Sequence, residues 1–489
     1  MTSSRAVGLK VKIGLEVHCQ LTVLRSKLFC GCSADYRRDP PNTHLCPVCF
    51  GLPGSLPVLN EQAIAASTMV AIALGCEIQD LNYSYRKNYY YPDMPKNFQI
   101  SQYDQAGAVP FAVKGRVSIR AEAAATKDVA ITRIQIEEDP GKLYYLGTID
   151  SSPHTFVDYN RAGICLLEIV TEPVLESPQE ARLFLQKLRS ILEHLGVSDG
   201  GLEGAMRCDA NVSIAGGRRV EVKNISSFKE VERALGFEIS RQHSLLVKGR
   251  QVPMETRHWD DVRRVTISLR TKEEEHDYRY FPEADLVPIY VSKEYIGAVR
   301  AMMPELPDAR KDRLTKQYGL PEYDASVLTA DKGLADFFEK CVRLYNRPKE
   351  VSNWVMTDLQ RWLREEDVEI VESKVTSDML VEMLSLIDNG TISGKIAKTV
   401  LREIVKTGKR PHEIIQEKGL LRIASEEQIQ AVVDEVFRDN PQAIEDALTD
   451  EKAVHFLVGQ VMRHTKGKAD PEVTNRLVRM KLAKPALKT

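Results

Sequence analysis

Two residues that could bind a metal ion or transfer a proton lie two positions apart near the start of the chain. They are Glu16 and His18, within VKIGLEVHCQL at residues 11–21, where every second residue is apolar. This period of two predicts a half-buried strand that points both side chains to one face. A carboxylate beside an imidazole suits metal binding or proton transfer, although an ordinary strand with a solvated polar face explains the same pattern.

Four cysteines within twenty residues form the pattern C-x-C, thirteen residues, then CPVC. Two close thiolate pairs joined by a short loop predict a tetrahedral zinc site, and its full ligand shell would make it structural. The alternatives are a set of reduced, partly buried thiols, or a site in which His44 replaces one cysteine. The predicted ligands are Cys30, Cys32, Cys46 and Cys49.

Three adjacent acidic residues, Glu137, Glu138 and Asp139, end a strand that is predicted to begin at about Arg133. Carboxylates this close repel one another unless a cation neutralises them, and a divalent metal ion is the partner that fits. A solvated acidic turn, with Lys142 as a local counter-ion, is the ordinary explanation of such a run.

Residues 83–105 interleave cations with aromatic rings, among them Lys87, Tyr89, Lys96 and Phe98. Cations suit phosphate groups and rings suit stacked bases, so the segment is typical of contact with a single-stranded RNA end. On these residues alone, a tyrosine-rich hydrophobic loop is slightly favoured.

The composition excludes several classes of protein. The chain has 489 residues, which predicts two to four domains, and its formal net charge is −2, so nucleic-acid binding requires a local basic patch. No apolar run is long enough to span a bilayer, and the first twelve residues lack the apolar core of a signal peptide. Nine cysteines, an odd number, argue against a disulfide framework, so the cytoplasm is the expected location.

Strand patterns occur in the first 291 residues, and helical patterns fill the remainder. A helix is predicted over 61–74, and a strand over 206–214 points Arg207 and Asp209 to one face. Further helices are predicted to start at Ser377 or Asp378, at Ser393, at Ser425 with Gln428 as its capping-box partner, and at Asp470-Pro471.

One concentrated basic patch follows a boundary predicted near 419–425. Basic helices beside a Gly-Lys turn suit phosphate contact, although a solvated helical face is the commoner meaning of such charges. The cations are Arg463, His464, Lys466, Lys468, Arg476, Arg479 and Lys481.

Long motifs along the chain resemble the B subunit of the tRNA-dependent amidotransferase GatCAB. They are GLEVHCQL, CPVCFGLPGSLPVLN, RKNYYYPDMPKNFQISQYDQ, EEDPGK, DYNRAGICLLEIVTEP, GVSDG, MRCDANVSI, EVKNISSF and DYRYFPEADLVPI. The resemblance runs from about Val11 to the C-terminus, with many long motifs in the family's order.

This resemblance implies a glutamine-hydrolysing ligase of protein biosynthesis that acts on Asp-tRNA(Asn), Glu-tRNA(Gln) or both. In the family, ATP phosphorylates the side-chain carboxylate carried on the tRNA, and ammonia then displaces the phosphate. The glutaminase partner, GatA, supplies the ammonia, and the small partner, GatC, holds the heterotrimer together. The chain has no Walker A loop, since GTISGK at 390–395 has the wrong spacing and is not followed by Ser or Thr.

The resemblance implies an α+β fold in three parts. A cradle-like catalytic domain with an antiparallel sheet is expected over 1–291, with its zinc loop at 30–49. An all-α helical domain over 292–420 and a small helical YqeY-like tail over 421–489, which binds tRNA, would follow.

A magnesium site is implied as well, because phosphoryl transfer to a carboxylate brings two anions together. Glu16, His18 and Glu138 match the family's site and are the predicted catalytic residues, with Glu137 as a weaker neighbour. The predicted magnesium ligands are Glu16, His18, Glu137 and Glu138, completed by Glu255 or Glu273, which the sequence does not separate. The expected cofactors are ATP, Mg²⁺ and a structural Zn²⁺.

For tRNA, Lys87 and Tyr89 match the segment that lines the path of the aminoacylated end. The Gly-rich turn at 198–204, beginning at Ser198, resembles the element that inspects the acceptor stem. The predicted contacts in the tail are Lys466, Lys468 and Arg476.

Two alternatives to this enzyme can be named. One is a zinc-containing tRNA-binding scaffold that has lost catalysis, which would not need Glu16, His18 and Glu138 together. The other is the archaeal GatE-type relative, which carries a synthetase-like insertion that is missing where DYRYFPEADLVPIY runs directly into helices.

Overall fold

The computed structural model describes residues 10–105, 107–120, 126–146, 152–271, 278–421, 425–448, 450–465 and 467–483. Strands are confined to the first part of these residues. They are β1 (Val11–Gln20), β2 (Glu77–Ile78), β3 (Leu81–Asn82), β4 (Tyr85–Asn88), β5 (Phe98–Ser101), β6 (Ala112–Arg120), β7 (Thr126–Glu138), β8 (Lys142–Tyr145), β9 (Thr155–Asp158), β10 (Cys165–Thr171), β11 (Met206–Ile214), β12 (Val220–Lys223), β13 (Glu255–Asp260), β14 (Val265–Thr271), β15 (Phe281–Pro282) and β16 (Ile289–Tyr290).

Four helices lie among these strands, and the remaining helices follow them. The first group is α1 (Pro47–Phe50), α2 (Glu61–Ala73), α3 (Pro178–Leu195) and α4 (Phe228–Val247). The second is α5 (Lys293–Ala301), α6 (Pro307–Tyr318), α7 (Glu322–Thr329), α8 (Lys332–Leu344), α9 (Pro348–Trp354), a π-helical turn (Val355–Leu359), α10 (Gln360–Glu365), α11 (Ser377–Asp388), α12 (Gly394–Thr407), α13 (Pro411–Glu417), α14 (Glu426–Asp439), α15 (Pro441–Ala447), α16 (Glu451–His464) and α17 (Pro471–Ala483).

A nine-stranded sheet dominates the first part of the chain, in the order β14-β13-β12-β11-β1-β10-β7-β6-β2. The predicted first strand therefore lies inside the sheet, between β10 and β11, and pairs antiparallel with both. All described pairs of this sheet are antiparallel except β12–β13, which is parallel. That pair needs a crossover connection, which α4 provides.

One face of the sheet is apolar and packs on helices. From Ile13 to Cys19, the odd-numbered residues of β1 are buried in one core together with Phe184 and Leu188 of α3 and Leu235 of α4. The opposite face carries the even-numbered residues Glu16 and His18. The alternation in the sequence thus separates a packed face from a polar face, and the α+β fold class with an antiparallel sheet is confirmed.

The chain divides into two compact units, Met1–Ala309 and Arg310–Thr489. In the second unit the described residues form helices around two separate hydrophobic clusters, one within 314–415 and one within 429–478. The predicted domain boundaries at 291/292 and 420/421 stay predictions. No described helix is long and apolar enough to cross a membrane.

Several predicted helix starts are confirmed by their caps. Ser393 accepts a hydrogen bond from the Ile396 amide ahead of α12, and Asp470 accepts one from the Glu472 amide ahead of α17. Ser425 caps α14 by accepting from the Gln428 amide, which is one half of the predicted capping box. Such caps satisfy amides that have no partner within the helix.

Candidate functional site

The polar face of the sheet collects ionisable side chains from four neighbouring strands. In the strand register, His18 lies opposite Glu168 of β10 and Arg207 of β11, and Glu16 lies opposite Asp209. Directly paired residues on adjacent strands point to the same face, so these side chains meet although they are far apart in the sequence.

Three carboxylates surround one imidazole at the centre of this face. The Nε2 atom of His18 lies 3.5 Å from Glu16 Oε1, 3.7 Å from Glu137 Oε1 and 3.7 Å from Glu168 Oε2. We call Glu16, His18, Glu137 and Glu168 the carboxylate–histidine cluster. Two sets of side chains there have ligand atoms within 4.8 Å of one another: His18 with Glu137 and Glu168, and His18 with Glu16 and Asp209.

The cluster perturbs the ionisation of its members strongly. Burial and the charge of Glu168 raise the pKa of Glu16 to about 7. Burial lowers the pKa of His18, but its interaction with Glu168 and the charges of Glu16 and Glu137 outweigh that effect and raise the value to about 9. Burial also raises the pKa of Glu168, yet His18 reverses this and brings it to about 2. Such opposed shifts in neighbouring groups are typical of functional sites.

Lys87 of β4 brings a further cation towards the cluster. Burial alone would lower the pKa of Lys87, but Tyr280 and the carboxylate of Glu137 outweigh it, so the pKa is well above the usual value. The Nζ atom lies 5.2 Å from the centre of the Tyr278 ring and 5.9 Å from that of Tyr89. The predicted pair Lys87 and Tyr89 therefore lies beside the cluster, within a group of tyrosines.

Not every predicted magnesium ligand reaches the cluster. Glu138 directs its carboxylate away from His18, to Lys96 Nζ at 2.5 Å and to the Ile100 amide at 2.8 Å. Glu137, the weaker candidate in the sequence, is the residue that lies at the imidazole. Adjacent residues on a strand point to opposite sides of the sheet. The sequence did not show whether Glu137 or Glu138 lies on the same side as His18.

Glu255 is also placed elsewhere. In the parallel pair β12–β13 it lies opposite Val220. The side chain of Val220 is buried and belongs to the packed face. There the carboxylate of Glu255 accepts hydrogen bonds from Arg241, Arg257 and Ser268. The structure therefore does not bring Glu255 to the cluster, and Glu273 lies outside the described residues.

Glu168 is the carboxylate that sequence reasoning missed. It is the one charged residue within β10, CLLEIVT, and it is buried. An acidic residue in an otherwise apolar strand was a usable signal, because a buried charge is costly unless a partner or a metal compensates it. Which strand β10 would pair with could not be deduced from a local pattern.

Asp209 and Lys223 form an ion pair at the edge of the cluster. Lys223 Nζ donates to Asp209 Oδ2 over 2.8 Å and lies 3.6 Å from Glu221. This geometry is compatible with an active-site role for Asp209 and Lys223 and equally with a structural network.

The four cysteines of the zinc prediction converge. The Sγ atoms of Cys30, Cys32, Cys46 and Cys49 all lie within 4.8 Å of one another, so they could hold a metal ion. A hydrogen bond from Cys30 lowers the pKa of Cys49 to about 4. His44 does not belong to this group of ligand atoms, and its Nε2 atom lies 2.6 Å from Asp39 Oδ2.

The turn at 198–204 and the tail are the two remaining predicted tRNA-binding regions. Ser198 is buried, so its side chain does not reach the surface, whereas Asp199 and Gly201 in the same turn are exposed and joined by a hydrogen bond. In the tail, Arg476 pairs with Glu426. Lys468 has no acidic partner within 4 Å among the described residues, and Lys466 lies outside them.

Comparisons with known proteins show the family of the chain. The family model described as the GatB/GatE catalytic domain matches residues 11–297, and a second model, the GatB domain, matches residues 336–482. The first match contains every residue of the carboxylate–histidine cluster and all four clustered cysteines.

Curated relatives match over nearly their whole length, and each is named as the B subunit of an aspartyl/glutamyl-tRNA(Asn/Gln) amidotransferase. The relative from Sulfolobus acidocaldarius is 51% identical over 473 residues, 96% of this chain and 99% of the relative. The one from Carboxydothermus hydrogenoformans is 49% identical over 480 residues, 96% and 98% of the two chains. The one from Thermotoga maritima is 49% identical over 475 residues, 95% and 97%.

Proposed function

Because the chain belongs to the GatB/GatE family of amidotransferase subunits, we propose that it activates Asp-tRNA(Asn), Glu-tRNA(Gln) or both for amide formation. An oxygen of the side-chain carboxylate attacks the γ-phosphorus of ATP, the bond to the bridging oxygen breaks, and ADP leaves. Ammonia then attacks the acyl carbon, phosphate departs, and a proton is lost to give the amide. The glutaminase GatA supplies the ammonia, and the small protein GatC completes the heterotrimer.

The observation that carries this proposal is the carboxylate–histidine cluster on the open polar face. Two buried carboxylates and the half-buried Glu16 around one imidazole concentrate negative charge that a divalent cation would neutralise, and carboxylate oxygens are the ligands that Mg²⁺ prefers. Glu16, His18, Glu137 and Glu168 would hold the ion. When bound, Mg²⁺ would supply charge stabilisation to the phosphoryl group during transfer.

Other described groups would bind and orient the substrates. Lys87 stays protonated beside Glu137 and offers a fixed positive charge to an incoming phosphate or carboxylate. The rings of Tyr89 and Tyr278, which flank its Nζ atom, exclude water from that side. Where the tyrosine rings exclude water, the charge of Lys87 is screened less and its attraction to an anionic substrate group is stronger.

Glu138 has a supporting role in this proposal. Its ion pair with Lys96 and its hydrogen bond from the Ile100 amide join the end of β7 to β5. The adjacent Glu137 accepts a hydrogen bond from Ser101 of β5 over 2.9 Å. These contacts hold the orientation in which Glu137 faces His18.

We also propose zinc at the four cysteines. A complete shell of thiolates leaves no open position for a reacting ligand, so the ion would be structural. The buried Lys27 Nζ lies 3.6 Å from Cys49 Sγ and would offset part of the thiolate charge. The tail, with Lys468 and Arg476, would contact tRNA phosphates outside the catalytic sheet.

The test is ATP hydrolysis by the complex of this chain with GatA and GatC, with Asp-tRNA(Asn) and Glu-tRNA(Gln) supplied separately. We expect ADP formation that requires Mg²⁺ and at least one charged tRNA, and the active tRNA identifies the substrate. Binding of both tRNAs without stimulated hydrolysis would instead support the non-catalytic scaffold.

A further inference from the structure

We propose that Arg207 is a further catalytic residue, whose guanidinium group binds an anionic oxygen group of a substrate. The anion is either the side-chain carboxylate on the tRNA or a phosphate of ATP. This inference rests on the proposed function, because both anions belong to that reaction.

Arg207 lies beside the carboxylate–histidine cluster. It is on β11, directly opposite His18 of β1, and two residues before Asp209, which lies opposite Glu16. Its side chain therefore points to the same polar face as the cluster. About a third of that side chain is exposed, at 33%.

A buried carboxylate orients the guanidinium group. Arg207 Nη2 donates to Asp139 Oδ1 over 2.6 Å, and Asp139 also accepts from Gln20 Nε2 over 2.6 Å. The Arg161 Nε atom lies 3.6 Å from the same Asp139 oxygen. Asp139 is thus held from three sides, and we assign it as the positioning residue for Arg207.

Most hydrogen-bonding capacity of Arg207 is unused within the described residues. A guanidinium group carries five N–H donors. Among the described residues, Asp139 accepts a hydrogen bond from one of these donors. The Nε atom is buried and has no acceptor there. An arginine that is oriented on one side and has free donors on the other is suited to bind a ligand.

Nearby arginines differ in this respect. Arg161 donates to the carbonyl oxygens of Pro140 and Gly141, and Arg86 donates twice to Glu283. Arg37 donates to Gln20 and Glu203. Each of these arginines donates at least two hydrogen bonds to protein acceptors, whereas within the described part of the chain Arg207 donates one and keeps a buried Nε atom without an acceptor.

The chemistry favours a further cation in this position, in addition to Lys87 and the proposed Mg²⁺. A substrate carboxylate or an ATP phosphate that approaches Glu16, Glu137 and Glu168 meets like charges, which repel it. A planar guanidinium group binds carboxylate or phosphate through two parallel hydrogen bonds and is always charged. Arg207 therefore offsets the repulsion and orients the anion towards the cluster.

The experiment compares the wild-type heterotrimer with complexes that carry Arg207→Ala, Arg207→Lys or the control Arg219→Ala. Arg219 is exposed in the turn between β11 and β12 and lies outside the cluster. ADP formation is measured against ATP and against charged tRNA, and equilibrium binding of both ligands is measured separately. Thermal unfolding checks that each variant is folded.

For Arg207→Ala we expect a loss of about 10²-fold in kcat/KM, in the range seen when one preorganised donor is removed. Arg207→Lys should recover only part of it, because an ammonium group lacks the planar fork. A rise in the KM or Kd for charged tRNA alone identifies the carboxylate as the ligand, and a rise for ATP alone identifies the phosphate.

Rates and affinities of Arg207→Ala within about threefold of Arg219→Ala would overturn the inference. If the wild-type complex formed no tRNA-dependent ADP, the proposed function would fail, and the binding arms would still decide whether Arg207 holds an anion. A folded Arg207→Lys variant keeps the test valid if Arg207→Ala does not fold.

Discussion

At the scale of single residues, one imidazole is shared by three carboxylates that the chain supplies from distant positions. Glu16 neighbours His18 on β1, whereas Glu137 and Glu168 come from β7 and β10. Within the cluster itself three carboxylates face one imidazole, so the charges of its four members are unbalanced, although Lys87 and Arg133 also act on Glu168. This imbalance makes the role of each carboxylate measurable.

Glu168→Gln removes one negative charge from the cluster and keeps the side-chain shape. We expect the Mg²⁺ concentration for half-maximal ADP formation to rise by about 10–100-fold, the range seen when a group supporting a metal site is lost. The matched control is Glu172→Gln, an exposed carboxylate that follows β10. An unchanged Mg²⁺ dependence in Glu168→Gln would remove Glu168 from the proposed site.

How far the sequence predicted this site depended on the range of the interactions. Glu16 and His18 were recognisable from a period of two within one strand, and the four cysteines from their spacing. Glu168 was missed and Glu138 was preferred to Glu137, because the choice depends on which strands pair and which face each strand turns inward. Local patterns do not contain that information.

At the scale of elements, the loop at 30–49 gathers its four thiols from two separate turns. We expect about one zinc per chain in freshly purified, reduced protein. Cys49→Ser should lower the zinc content close to zero, because Cys49 contacts both Cys32 and Cys46 through sulfur. Cys76→Ser, which changes a cysteine outside the group, should keep the zinc, and elemental analysis of both variants is the measurement. Full zinc in Cys49→Ser would reject the four-cysteine site.

An ion network joins α6 to α8. Arg310 and Arg313 both donate to Glu339. Burial raises the pKa of Glu339, but the hydrogen bonds of Arg313 and Arg310 outweigh it and lower the value to about 2. The folded-state pKa is below the unfolded value of about 4.3, so the network stabilises the protein above that pH and loses its effect as pH falls towards 2.

Glu339→Gln should therefore destabilise the protein most near neutral pH. We expect the difference in free energy of unfolding from wild type to shrink as pH falls from about 4.5 towards 2. Urea denaturation at several pH values measures this difference. Glu365→Gln, which breaks an exposed pair with Arg361, is the control and should show little difference at any pH. A difference for Glu339→Gln that does not vary with pH would contradict the assignment.

The parallel pair β12–β13 explains why Glu255 could not be placed from the sequence. The crossover through α4 returns the chain beside β12 with Glu255 opposite Val220. An antiparallel hairpin would have set a different register. The antiparallel sheet as a class was predictable, whereas this exception depends on how α4 packs.

At the scale of the whole molecule, basic residues of the tail differ in how far their charge is already neutralised. Arg476, Arg479 and Lys481 pair with Glu426, Glu451 and Asp434. Arg463 and Lys468 have no acidic partner within 4 Å among the described residues. The unpaired cations should therefore contribute more to phosphate binding than the paired ones.

Arg463→Glu and Lys468→Glu should each weaken tRNA binding and reduce its salt dependence, by about one unit of log–log slope for each phosphate interaction removed. Arg476→Ala should have a smaller effect because Glu426 already neutralises that charge. Titrations of tRNA at several salt concentrations measure both quantities. Lys409→Glu, outside the tail, is the control, and equal weakening in control and tail variants would contradict a specific interaction.

The position of β1 inside the sheet has a consequence for synthesis of the protein. This strand leaves the ribosome well before its two neighbours, β10 and β11, which begin at Cys165 and Met206. At about 5–20 residues per second, the nascent strand waits on the order of ten seconds or more for its partners. During translation its apolar side chains are uncovered, so chaperone binding to this N-terminal segment would protect the growing chain from aggregation.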